Sequence, residues 1–160
     1  MTWSHHQDRA GDVLSPERGV VGGLEVLPFG VLIFVVGSLL IANAWAVVDV
    51  KLATTAAARE AARSYVESDS AVHADVAAQR AATDAITSYG RNPAKLELHR
   101  ESTGPFVRCS RVTYVASYEV PAIALPFGVG LGGPIEVRAR HSEIVDPLRR
   151  GLPAEGSCGG

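Results

Sequence analysis

The chain has 160 residues, with 15 Lys and Arg against 17 Asp and Glu, for a net charge of −2. That balance, with only 6% aromatic residues, lacks the basic footprint and stacking platforms of a nucleic-acid-binding protein, and 47% hydrophobic residues exclude a wholly disordered chain. Two cysteines cannot by themselves build a disulfide-rich scaffold or a structural zinc site.

Residues 1–19 are polar, carry His5, His6, Asp8, Asp12 and Glu17, and have no periodicity; they are expected to form a flexible leader. From Val26 to Val48 the chain reads VLPFGVLIFVVGSLLIANAWAVV, without a charge. A helix of about 23 residues is roughly 35 Å long, against about 30 Å of bilayer hydrocarbon, so this stretch is expected to span a membrane. Ser38 and Asn43 are its only clearly polar side chains, and Trp45 lies near its far end, where an indole favours the membrane interface. A buried core helix has a similar composition, but little chain remains to surround one. A cleaved secretory signal usually has an apolar core of about 7 to 15 residues behind a basic segment, and neither feature is present. Arg9 and Arg18 precede the span and Lys51, Arg59 and Arg63 follow it, so the distribution of basic residues does not decide the orientation.

Residues 49–67, DVKLATTAAAREAARSYVE, are rich in good helix formers. No Pro or Gly separates them from the span, so one helix is expected to continue through both, with Leu52, Ala56, Ala57 and Ala61 as a weakly apolar stripe. Ser68-Asp69-Ser70 reads as a break and a new N-cap. A second helix follows, with Val72, Val76, Ala82 and Ile86 among its apolar positions, and stops before Gly90. Asn92-Pro93 marks a turn.

From residue 95 the period changes to two. Lys95–His99, Val112–Val120 and Ile135–Arg140 alternate, with Tyr114, Ala116, Tyr118 and Val120 on one face of the middle segment. Ser102–Pro105 reads as the first turn and residues 121–134 as a long apolar connection rich in Pro and Gly. The tail, residues 146–160, is expected to be flexible. The expected fold class is α+β: a transmembrane helix extended into an outer helix, a second helix, and a small three-stranded antiparallel sheet with helices on one face. The expected organisation is a leader at 1–19, a transmembrane and extended helix at 20–67, an extracytoplasmic α+β domain at 68–145 and a tail at 146–160.

A spanning N-terminal helix that runs outward and is capped by a small sheet resembles a pilin-like protein. Glu17-Arg18-Gly19, Glu25, Leu27-Pro28 and the long apolar run are similar to the N-terminus of the TadE/TadG-like family, minor pilins or pseudopilins of tight-adherence (Flp) pilus systems, in their actinobacterial form. Ala56-Ala57-Ala58-Arg59-Glu60-Ala61-Ala62-Arg63 resembles the family's alanine- and arginine-rich segment after the span. The likeness is specific over residues 17–66 and holds in outline beyond them. It implies a single-pass protein of the cell membrane, N-terminus cytoplasmic and C-terminal domain extracytoplasmic. It also implies type IV pilus-related partners: other pilin-like subunits, the assembly machinery and a prepilin peptidase. Cleavage would fall between Gly19 and Val20. Glu25 stands one position later than the glutamate of the family pattern, and Pro28 comes sooner after the glycine. Glu25 and Pro28 would serve assembly and recognition, Glu25 either at the positive end of the helix dipole or paired with a neighbouring subunit's amine. The bland role for Glu25 is to mark the end of the span.

Other signals are weaker. Gly23, Gly30 and Gly37 recur every seven residues and could line one face for close helix packing, although glycine is common in membrane helices. Cys109 and Cys158 could pair outside the cell or remain free thiols. His5, His6, His73, His99 and His141 have no metal-site spacing. The glycines of residues 128–133 lack the lysine and following helix of a phosphate loop. No convergent acid, base and nucleophile set points to an enzyme, and no cofactor or metal is expected. The expected function is pilus or secretion-apparatus assembly; the alternative is an unprocessed, membrane-anchored extracytoplasmic binding module.

Overall fold

The computed structural model describes residues 26–124, 130–153 and 158. The chain packs as two units, one reaching to Leu40 and one beginning at Ile41. A single helix, α1 (Val26–Glu67), of 42 residues, belongs to both. Its continuity follows from composition: no Gly or Pro occurs between Ser38 and Glu67, and Ala, Arg and Glu favour the helix over its later turns. Pro28 lies in the first described turn, where a missing N–H is tolerated. Ser68 ends the helix, its N–H reaching the Tyr65 carbonyl at 3.2 Å and its hydroxyl the Ser64 carbonyl at 2.8 Å.

Helix α2 (Ala71–Ser88) starts after Ser70, which caps in extended conformation. At its other end Gly90 takes φ +68°, its N–H bonds the Thr87 carbonyl at 2.8 Å, and the N–H of Arg91 reaches back to Ile86 at 3.2 Å. This is a Schellman stop, and the left-handed residue it needs is a glycine. A short 3-10 turn at Pro93–Lys95, capped by the Asn92 side chain, leads into the sheet.

Strands β1 (Leu96–Arg100), β2 (Arg111–Ala124) and β3 (Gly130–Ile144) form an antiparallel sheet in the order β1-β2-β3. With α1 and α2 they make an α+β arrangement. Leu96, Leu98, Val112, Tyr114, Ala116, Tyr118, Val137 and Ala139 face the helices and join one core cluster. Into it α1 sends Val50, Ala53, Ala57, Ala58, Ala61, Ala62 and Tyr65, and α2 sends Ala74, Ala78, Ala82 and Ile86. Residues of the opposite face, Glu97, His99, Glu119, Arg138 and Arg140, are exposed.

Three expectations need correction. Residues 121–134 are not simply a connection: β2 continues to Ala124 and β3 begins at Gly130, with Pro121 opposite Pro134. The ribbon accommodates its irregular residues through a register shift between Pro121 and Ile123 and through Gly132 at φ +86°, where a Cβ would approach that of Ala122 to 2.9 Å. Second, Val72, Val76 and Leu52 are exposed. The faces that bury are lined by alanine, and Leu52 lies about 100° round the helix from its buried neighbour Ala53. Third, the described tail is tied down. Asp146 caps the N–H of Leu148 at 2.7 Å, and the Arg149 guanidinium binds the carbonyls of Val66 and Glu67, the latter at 2.7 Å. A cation on the last carbonyls of a helix satisfies groups that otherwise lack partners and complements the helix dipole.

Candidate functional site

The most unusual surface belongs to α1 between Val26 and Val48. Its large apolar side chains point outward; Phe34 and Trp45 are each 74% exposed. Water would not retain such a surface on a monomer, and the helix is long and apolar enough to cross a membrane. It is therefore a candidate single-pass membrane anchor near the N-terminus. Gly30 and Gly37 lie on it with nothing within 4 Å of where a Cβ would sit. Pro28 is at its described start, whereas Gly19, Val20, Gly23 and Glu25 lie outside the described residues.

The charged boundary of this surface is built by distant residues. Asp49 ends the apolar run and pairs with Arg91, which the glycine stop of α2 positions. One turn-half further, the Lys51 ammonium binds the backbone carbonyl of Arg138 on β3. An open groove beside the Asp49–Arg91 pair is lined by Ala42, Trp45, Ala46, Val48, Asp49, Leu52 and Arg91.

A second constellation joins both helices to the sheet. Arg100 Nη1 donates to the Tyr65 hydroxyl at 2.9 Å, and its guanidinium lies 5.3 Å from the centre of the Tyr65 ring. Arg100 Nε is 3.3 Å from Asp75 Oδ1, which also accepts from the Tyr114 hydroxyl at 2.9 Å. Tyr65 meets Phe106 and Tyr114 edge to face, at 5.2 and 5.8 Å between ring centres. Burial, and then the hydrogen bond to Asp75, raise the Tyr114 phenol above its ordinary value, and burial does the same for Tyr65. These groups satisfy one another, so their evident role is to hold α1 and α2 on β1 and β2. Sequence reading passed over Asp49, Arg91, Asp75 and Arg100; the only available signal was two tyrosines among small residues.

Cys109 and Cys158 are joined, with their Cα atoms 5.1 Å apart. Cys109 adopts φ +63°, a left-handed conformation uncommon outside glycine, and its N–H bonds the Val145 carbonyl at 3.0 Å. Among the described residues, His73 pairs with Asp69 and His141 with Glu143. Among the described residues no group of three or more His, Cys, Asp or Glu could hold a metal ion. On the outer sheet face Arg138 grips Glu136 through two bonds of 2.6 and 2.7 Å and holds that carboxyl below its usual range, while Arg140 pairs with Glu101 at 2.8 Å. Compared with known proteins, the chain matches no protein family, no curated protein and no solved structure.

Proposed function

We propose that the protein is a pilin-like, single-pass membrane protein of the cell surface that contributes to assembly of a tight-adherence type pilus or a related secretion apparatus. Its N-terminus lies in the cytoplasm and residues 68–145 lie outside. The observation that carries this reading is the unbroken course of α1 from an exposed apolar stretch into a helix that covers a small antiparallel sheet. Its partners are the membrane, other pilin-like subunits, the assembly machinery and a prepilin peptidase that cuts between Gly19 and Val20. The open face at Gly30 and Gly37 suits close packing against a neighbouring helix. The activity is interaction rather than catalysis.

A second reading is an unprocessed, membrane-anchored extracytoplasmic binding module. It is favoured by Glu25 standing one residue later than the family pattern has it, and by the early Pro28. Intact mass and N-terminal sequence of the protein purified from its native membranes separate the two. A chain beginning at Val20 supports the pilin-like reading. Retention of residues 1–19 overturns processing and leaves the anchored module. A start beyond residue 44 removes the span and both readings with it.

A further inference from the structure

We propose that the tip-side ribbon of the β2–β3 hairpin, Val120–Ala124 with Gly130–Ile135, rests in the headgroup layer of the bilayer as a second membrane contact beside α1. The proposal builds on the reading of α1 as a membrane span. Two elements far apart in sequence change from charged to uncharged in the same place. On α1 the last charges before the apolar run are Lys51 and Asp49; on the hairpin they are Glu119 and Glu136, which pair across the ladder. Between Val120 and Ile135 no Asp, Glu, Lys, Arg or His occurs.

Packing brings the two changes together. Lys51 binds the carbonyl of Arg138, just on the charged side. On the other side, Asn43, Ala46, Val47 and Val50 of α1 line a small cavity of about 70 Å³ with Val120, Pro121 and Ala122. Passing from Lys51 back to Asn43 on the helix therefore runs parallel to passing outward from Ser117 to Ala122 on the strand. Both apolar runs head the same way. Arg91 also borders that cavity, and Trp45 borders the groove next to it; a guanidinium and an indole are the side chains that settle at the membrane–water interface.

The depth follows from backbone chemistry. A two-stranded ribbon has open edges, and unpaired N–H and C=O groups are not tolerated in hydrocarbon. The headgroup layer supplies partners for them, and Pro121 and Pro134 remove two donors from the ribbon. The two described residues beyond Ala122 reach about 7 Å further, within the depth at which interfacial segments sit.

The test uses the full chain in vesicles of phosphatidylcholine and phosphatidylglycerol. The native cysteines are joined, so an introduced thiol alone takes a nitroxide label. Labels go at Ala122→Cys and Gly133→Cys on the ribbon, Ser117→Cys on the charged part of the same strand, and Val35→Cys in the span. The readout is collision with lipid-soluble oxygen relative to a water-soluble nickel chelate. The expected ratios at 122 and 133 are several-fold above that at 117 and below that at 35. Gly133 offers open space for a Cβ, so it reports even where a label at 122 disturbs the ribbon. Ratios at 122 and 133 equal to that at 117, with 35 deep in lipid, overturn the proposal and leave the span intact. Water-like ratios at 35 as well overturn the span itself. Shielding of 122 and 133 from both reagents, with spin–spin broadening that grows with protein density, identifies a second copy as the occupant and also overturns the proposal.

Discussion

Between Val26 and Val48, α1 turns valine, leucine, isoleucine and phenylalanine outward; between Val50 and Tyr65 it turns alanine inward. The exposed stretch has the bulkier side chains, and the buried stretch has side chains that bury little area each. Ala57, Ala58, Ala61 and Ala62 are 0% exposed, so what they contribute is fit, while the aromatic contacts of Tyr65 and the ion pairs at Arg91 and Arg100 supply direction. On the proposed reading, one helix answers to two solvents. Its first part is long and apolar enough to cross a membrane by composition alone. Its second part is matched to a particular sheet by shape.

That contrast can be broken from the folded end first. Replacing Cys158 by Ser opens a loop closed across a separation of 49 residues, for which loop entropy gives a loss of about 4 kcal/mol. Hydrogen exchange of the β2 amides should speed up accordingly, while a nitroxide at Val35 keeps the oxygen-to-nickel collision ratio it has in the unaltered chain. Tyr65→Ala removes the ring that meets Phe106, Tyr114 and Arg100 and should cost about 3 kcal/mol by the same exchange measurement. Phe34→Ala, an equal truncation on the exposed stretch, should leave β2 exchange unchanged. Equal effects of the two would end the distinction between the halves of α1.

Smaller changes sharpen it. Ala58→Leu forces a larger side chain into a site with no exposed surface and should destabilise the packing of the helices on the sheet by about 2 kcal/mol; Ala44→Leu, on an exposed position, should not register in urea unfolding followed by tyrosine circular dichroism. Tyr114→Phe removes the hydrogen bond to Asp75 and should cost about 1 kcal/mol at neutral pH. It should also flatten the alkaline limb of stability. The folded Tyr114 holds its proton above the ordinary value of 10.0. As pH rises past that value the unfolded chain binds fewer protons than the folded one, so stability falls. Tyr65, raised by burial, leaves a residual slope in the variant. Val76→Ser, at a position 58% exposed, should change stability by less than about 0.5 kcal/mol.

Much of the secondary structure was legible. The uncharged run, the alanine-rich continuation, the break at Ser68–Ser70 and the stop before Gly90 are local signals, and local physics explains each of them. The alternation at Val112–Val120 named the buried face of β2 because a strand has only two faces. Helix faces were harder. Val72 and Val76 stand among the apolar positions of α2 and are exposed, whereas Ala82 and Ile86 are buried, since hydrophobicity ranks side chains but does not say which stripe meets a neighbour. The ribbon at 121–124 and 130–134 was obscured by Pro and Gly, which signal breaks unless a bulge and an open edge accommodate them. The tail looked loose because its ties, Arg149 to the end of α1 and Cys158 to Cys109, join residues 83 and 49 positions apart in sequence.

By itself, the sequence determined where the chain avoids water and which segments repeat at 3.6 or 2, because burial and backbone period are written in consecutive residues. Only the tertiary structure decided that Asp49 meets Arg91, that Asp75, Arg100, Tyr65 and Tyr114 converge, that the cysteines are joined, and that the apolar hairpin lies beside the end of the apolar helix. Those pairings depend on how two helices settle on one face of a sheet, and no local pattern encodes the distance between residues that packing brings together.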